Sequence, residues 1–154
     1  MEHILIRKAE LKDLETLQGF EQGIINTERP FDPTLKPGAI NYYDIEKMIG
    51  AADVELLVAE LDSKIIASGY ARIENAKPYL NHRQYAYLGF MYVVPEQRGK
   101  GINKMIINGL SEWARAQQIY ELRLDVYQPN VSAIRAYETA GFTKYMVNMR
   151  MGIE

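Results

Sequence analysis

Residues Tyr92–Leu110, YVVPEQRGKGINKMIINGL, decide how this chain folds. Tyr92, Val93 and Val94 are β-prone, and Pro95, which has no backbone donor, ends the strand that they extend. A basic loop follows with Gly99 and Gly101 two residues apart, and then Ile102, Met105, Ile106 and Leu110 recur at the spacing of an amphipathic helix. A strand, a glycine loop and a helix in succession form an anion-binding arrangement, because free amides and the positive end of the helix dipole converge on one point. Two nucleotide-binding versions of it fail here. The Walker pattern requires Ser or Thr after its lysine, whereas Gly101 follows Lys100 and Val94 occupies the place of the first glycine. The dinucleotide fingerprint requires a glycine where Lys104 stands. The loop is therefore a phosphate cradle of another kind, or a plain turn carrying solvated Arg98, Lys100 and Lys104.

Upstream, YAYLGFMYVV (85–94) is almost wholly apolar and reads as a central strand. DVELLVAEL and KIIASGYARI, separated by Asp62-Ser63, read as a hairpin, and HILIRKA as a short first strand. KDLETLQGFEQGIIN reads as a helix with Leu14, Leu17 and Ile24 on one face. Thr27–Ile40 holds three of the six prolines and excludes a regular element, and NYYDIEKMIGA reads as a short helix ending near Gly50. Downstream, the helix from Ile102 runs to about Gln118 with Trp113 and Ala114 on its apolar face. ELRLDVY is a further strand, VSAIRAYETAG a helix closed by Gly141, and FTKYMVNMRMG ends the chain in β structure. The order predicts one mixed α/β domain over residues 1–154, without repeats or linkers.

Composition narrows the function. The chain has 154 residues, 47% apolar and 25% charged, with a net charge of -2, an ordinary globular balance that gives no overall attraction to nucleic acid or to an anionic membrane. It contains no cysteine, and its two histidines, His3 and His82, are far apart, so a thiolate or histidine-rich metal site is not expected. No apolar run approaches membrane-spanning length and the first residues lack the core of a signal peptide, which points to the cytoplasm. The glycosylation pattern at Asn130–Ser132 is then coincidental.

RGKGIN after YVVPEQ resembles the acyl-coenzyme-A loop of the GNAT superfamily of N-acetyltransferases. Downstream, NVSAIRAYETAGF is similar to that family's later motif, with Asn130, Ala133, Tyr137, Gly141 and Phe142 at the matching spacings. The resemblance covers essentially the whole chain, most strongly from Tyr85 to Phe142. It implies a central, mostly antiparallel mixed sheet of six to seven strands flanked by about four helices, with strands 85–94 and 121–127 splayed apart. Acetyl-CoA would serve as cosubstrate, without a metal, between those two strands. Met91, Val93 and Val94 would line the pantetheine arm, and Arg98, Gly99, Lys100, Gly101, Ile102, Asn103 and Lys104 the pyrophosphate. Gly99 and Gly101 suit that role physically, since they lack a Cβ and adopt φ values that other residues avoid. Asn103 departs from the small residue usual at its position; its amide either donates to a phosphate or faces solvent.

The same resemblance gives Tyr137 the role of proton donor to the departing thiolate, the alternative being an ordinary core aromatic beside Val131 and Ile134. Asn130 either caps its helix or meets the pantetheine arm, and the oxyanion donor is expected to be a backbone amide near Val93, where the family distorts its strand pairing. The family's central-strand glutamate is missing, and Tyr87 stands about where it would be. Glu28, Asp32, His82 or a chain of waters are the substitutes for the base. Phe31, Tyr42 and Tyr43 are expected to wall the acceptor pocket, with Glu28 and Asp32 holding a cationic amine. Three prolines stiffen that region, which suits a small-molecule amine; a protein N-terminus or lysine, or a sensor that binds acyl-CoA without turnover, are the alternatives. Dimers are common in the family, so a homodimer is compatible.

Overall fold

Asp62 and Ser63 both take left-handed backbone angles, φ 50° and 63°, the geometry of a tight two-residue β-turn. They close the hairpin between β2 (Val54–Leu61) and β3 (Lys64–Asn75) in a computed structural model that describes residues 3–154. Met1 and Glu2, inside the domain bounds expected above, lie outside the described residues. With β1 (Leu5–Lys8), β4 (Gln84–Val93) and β5 (Leu122–Arg123) the hairpin forms one sheet in the order β1-β2-β3-β4-β5. Every pairing is antiparallel except β4 with β5, which is parallel.

Helices cover both faces. On one face, α3 (Ile102–Ala116) packs Ile102, Ile106, Ile107 and Leu110 against Leu57, Ala67, Ala71 and Leu88, and α4 (Val131–Ala140) adds Tyr137 and Ala140. On the other, α1 (Leu14–Glu28) and α2 (Ile45–Gly50) bring Leu17, Phe20 and Ile45 onto Val58, Tyr70 and Phe90. The first turn before α1 is fixed electrostatically. Arg7 on β1 donates to both oxygens of the buried Asp13 at 2.8 and 3.0 Å and to Glu60 on β2 at 3.1 Å, while Asp13 also accepts the Glu10 amide at 2.8 Å.

β4 carries the decisive irregularity. Its register against β3 shifts between Ser68 and Tyr70, and Phe90 sits there in the left-handed region at φ 57°. This is a β-bulge, one extra residue on one strand. Ala86 and Leu88 face α3, and strict alternation would send Phe90 with them. Phe90 instead joins Tyr70 and Tyr43 on the α1 side, and Met91 and Val93 resume the α3 side. Ser68 Oγ holds the bulge by donating to the Phe90 carbonyl at 2.9 Å.

Three elements differ from the sequence expectation. The sheet has five strands instead of six to seven. Of the strand expected over 121–127, only Leu122 and Arg123 are laddered, because β5 diverges from β4 beyond them. The expected terminal strand FTKYMVNMRMG has no regular structure. The segment touches Arg123 of the outer strand through the Tyr145 ring, but among the described residues it forms no ladder with it. Finally, α1 continues through Thr27 and Glu28 and passes into a short 3₁₀ turn at Arg29–Phe31, so the irregular proline segment begins later than its composition implied.

Candidate functional site

Divergence of β4 from β5 leaves a wedge-shaped gap. The parallel pair is bonded only at Ala86–Leu122 and Tyr87–Arg123, and β4 then runs on to Val93 without a strand on that side. The Val94 amide donates to Ile66 on β3 at 2.9 Å, so by alternation the backbone groups of Val93 and Met91 face the gap. The Val93 carbonyl accepts from Arg98 Nε at 2.9 Å, while its amide has no strand partner. Arg98 also lies over the Tyr92 ring at 5.6 Å. Its side chain therefore ties the loop to the strand end.

Past Val94 the chain turns through Pro95–Gln97 and reaches Gly99 and Gly101, left-handed at φ 78° and 81°. A Cβ at either glycine would meet no other atom within 4 Å, so what demands glycine inside the protein is conformation, and the space outside it is open. Gly101 is the N-cap of α3, has no side chain to cap with, and accepts the first helical bond from Met105. The amides of Ile102, Asn103 and Lys104 are consequently uncapped at the positive end of a 15-residue helix with no acid in its first turn. Lys100 reaches Gln97 at 3.1 Å and Lys104 is exposed, so both charges stand at the rim.

The α1 side of the gap gathers a second group of residues. Glu28 ends α1, half-buried, and burial raises its carboxyl above the usual range, with Asp32 adding to the rise and Tyr42 opposing it. Tyr42, Tyr43, Tyr127 and Tyr137 are all raised by burial first, and the Glu28 charge adds to the rise in each. The Tyr42 hydroxyl is buried and makes no hydrogen bond of ordinary geometry, yet Glu28 stands close enough to raise its pKa after burial. Tyr137, pushed up to about 12 by burial first and Glu28 second, is held edge-on by Phe142 at 5.8 Å. Tyr43 stacks on Phe90 at 4.8 Å and is more wall than ligand.

Asp32 is already satisfied. It accepts from the Thr34 hydroxyl and, at 3.0 Å, the Thr34 amide, from Tyr127 Oη at 2.8 Å and from Arg150 at 3.2 Å, which together hold it at about 2. Phe31 packs on the Tyr127 ring at 6.2 Å. Across the gap Tyr87 donates to Asp125 on the β5 side at 2.8 Å, so a carboxylate does stand beside the central strand, supplied by the neighbouring segment. Asn130 caps α4, accepting the Ala133 amide at 3.3 Å.

Not every sequence candidate joins this group. His82 lies before the start of β4, against Arg123 at 3.3 Å and Tyr85, about 30 Å along the strand from the glycine loop. It lines a shallow polar cleft of about 730 Å³ with Gln84, Gln117 and Glu121, at the opposite end of the sheet from the gap. Conversely, Glu21 escaped notice. Its buried carboxylate accepts the amides of Tyr42 and Tyr43 at 2.8 and 2.7 Å and pins the segment that roofs Glu28. The signal was present: Glu21 stands four residues after Leu17 and four before Ile25, on the apolar face of its helix. Asp125 and Tyr127 gave no such signal, because their partners are remote in sequence.

Comparison with known proteins agrees with this geometry. The model of the acetyltransferase (GNAT) family matches residues 22–142. Aminoglycoside N(6')-acetyltransferase type 1 of Stenotrophomonas maltophilia is 29% identical over 91 residues, which is 56% of this chain and 60% of that enzyme. Among solved structures, a mutant of the BH1408 protein from Bacillus halodurans superposes with a TM-score of 0.88 at 19% identity, covering 97% of this chain and 99% of that one. A "predicted acetyltransferase with acetyl-CoA" from Clostridium acetobutylicum gives 0.73 at 20% identity, covering 97% and 96%. At these identities the structural matches speak for the fold.

Proposed function

Because the chain belongs to the acetyltransferase (GNAT) family, we propose that it moves an acetyl group from acetyl-CoA to a primary amine of a small molecule. One observation carries the reading: the unpaired backbone of Met91 and Val93 leads straight into the uncapped amides of Ile102, Asn103 and Lys104. An extended, amide-bearing pantetheine arm fits the first as an added strand, and a pyrophosphate fits the second. Gly99 and Gly101 admit the phosphates closely, Val94 and Ala133 line the way, and Lys100 and Lys104 add charge at the rim.

Acetyl-CoA supplies a thioester carbonyl. Glu28 takes the proton from the incoming ammonium, its raised pKa suiting a base that must release that proton again. The amine nitrogen then bonds to the carbonyl carbon as the carbon–sulfur bond breaks. An amide of the bulge, at Met91 where the pairing shift lies and so two residues earlier than the sequence suggested, donates to the oxyanion. Tyr137, kept protonated by its raised pKa, hands its proton to the thiolate, and the second proton that the acylated nitrogen sheds restores the phenol, leaving a neutral amide and a free thiol.

The acceptor is a small amine on this reading because the roof is tied down on both sides. Glu21 holds residues 42 and 43, and Arg29 holds the carbonyls of Lys36 and Gly38. Similarity to an aminoglycoside acetyltransferase points to the same cationic class, with Glu28 as the free carboxylate and Phe31, Tyr42 and Tyr87 as walls. Free-thiol release from acetyl-CoA across a library of small amines and peptides tests it. Turnover restricted to small amines supports the reading, peptide turnover redirects it to protein acetylation, and cofactor binding without any turnover identifies a sensor.

A further inference from the structure

β3 brings a cation to the α1 side of the gap. Arg72 stands opposite Tyr87 in the β3–β4 register, and Tyr70 stands opposite Gly89, one residue before the left-handed Phe90. A Cβ on Gly89 would lie 2.6 Å from the Tyr70 ring and hydroxyl, so Tyr70 leans from β3 across the β4 backbone towards the gap. There its ring meets Tyr43 edge-on at 5.8 Å. The Arg72 guanidinium lies 5.7 Å from the Tyr70 ring and 5.3 Å from the Tyr87 ring. Its Nε donates to Glu74, and neither terminal nitrogen makes a hydrogen bond of ordinary geometry among the described residues.

This side chain is set up to bind an anion. Two rings and one carboxylate orient the guanidinium before anything arrives, and the side chain is 44% exposed, open to a solute. Glu74 takes only the Nε edge, so the paired terminal donors, which match a planar oxyanion bidentately, are left over. Anions stand on the same side of the gap. Asp125 accepts the Tyr87 hydroxyl at 2.8 Å, and neither it nor Glu28 has a basic partner within ion-pair distance among the described residues. The site thus offers free carboxylates for an ammonium and one open guanidinium for a negative group.

Resting on the acetyl-transfer reading above, we propose that the acceptor is a zwitterion, an amine that also carries a carboxylate, and that the Arg72 fork binds that carboxylate between Tyr70 and Tyr87. A carboxylate suits the fork better than a phosphate does. One guanidinium shared with Glu74 has a single positive charge to offer, whereas a phosphate ester brings about two negative ones. The same contact disfavours a bare polyamine, whose second ammonium would meet Arg72.

The probes are the common α-amino acids and γ-aminobutyrate, each beside its own carboxamide, with phosphoethanolamine as the phosphate-bearing amine. At least one acid should be acetylated with kcat/KM roughly 10–100-fold above its amide, the scale of a hydrogen-bonded charge pair. Arg72→Gln should erase that ratio by raising KM for the acid, with kcat, circular dichroism and coenzyme A affinity unchanged. Arg72→Lys, charged but without the fork, should keep only part of it. A structural defect would instead lower acid and amide alike. Amine turnover in which no acid outranks its amide, in which phosphoethanolamine outranks every acid, or in which the ratio survives Arg72→Gln, overturns the proposal and leaves acetyl transfer standing. If no amine turns over, the acetyl-transfer reading fails by itself. Calorimetric titration of the same acids into the protein–coenzyme A complex then decides: affinity for an acid that Arg72→Gln abolishes supports the fork, and its absence overturns it.

Discussion

On the proposed reading Glu28 and Tyr137 divide the proton work, and each makes its own prediction. Burial raises Glu28, and the ionised form is the base, so activity should be absent at low pH and rise as pH passes through a value above the ordinary glutamate range. The pH dependence of kcat/KM checks this: Glu28→Gln should remove that acid limb and lower kcat while cofactor affinity, read by calorimetry, stays unchanged. Tyr137→Phe deletes one oxygen from a side chain whose packing on Phe142 survives. Turnover should fall by about 10²–10⁴-fold, the usual span for a general acid, with folding and cofactor binding intact; parental turnover, where chemistry limits, would make Tyr137 a packing residue only. Tyr137 was a candidate through the family resemblance of its motif, and Glu28 as one of several groups that could replace a missing base. Asp32 was legible as an acid but not as one already bonded to Tyr127 and Arg150, since those partners lie 95 and 118 residues away in sequence.

At the scale of elements, the turn ahead of α1 rests on one carboxylate. Asp13 is 4% exposed and held by two bonds from Arg7, and its pKa is lowered by that guanidinium first of all. A folded-state pKa below the 3.8 of the free side chain stabilises the fold above pH 3.8, and this contribution is lost as pH falls through the lower folded value. Asp13→Asn should therefore cost about 2–3 kcal/mol near neutrality, the scale of charged hydrogen bonds, and its deficit against the parent should shrink in acid; chemical denaturation at several pH values reads both. The helices and the hairpin were legible because period and turn chemistry are local signals. The bulge was not, since Phe90 is a residue that rarely takes φ 57° and only its neighbours on β3 and α1 hold it there. The terminal segment shows the converse: its β pattern predicted a strand, and among the described residues it forms none.

For the molecule as a whole, a cosubstrate held in the gap between β4 and β5, as proposed, should make stability depend on it. Coenzyme A at a hundredfold above its Kd should stabilise the fold by about 2.7 kcal/mol, and for a chain of this size that lifts Tm by about 5–10 °C in a thermal scan. A chain whose Tm ignores coenzyme A does not hold it in the gap. The bulge that bends β4 away has an arithmetic of its own. Remove Phe90 from the count and every other residue of the strand, from Ala86 to Val93, alternates faultlessly between the two faces, each on the face that it now occupies. Phe90 is thus an interpolated residue, a parenthesis over which the ladder can close. Its deletion, at a cost of about 3–5 kcal/mol for the lost core aromatic, should straighten β4, let it zip further along β5 and yield a folded sheet with no slot in it. Hydrogen exchange would then find the Met91 and Val93 amides newly protected in a protein that no longer binds coenzyme A. The protein is, in that sense, a regular sheet kept open by a single surplus residue.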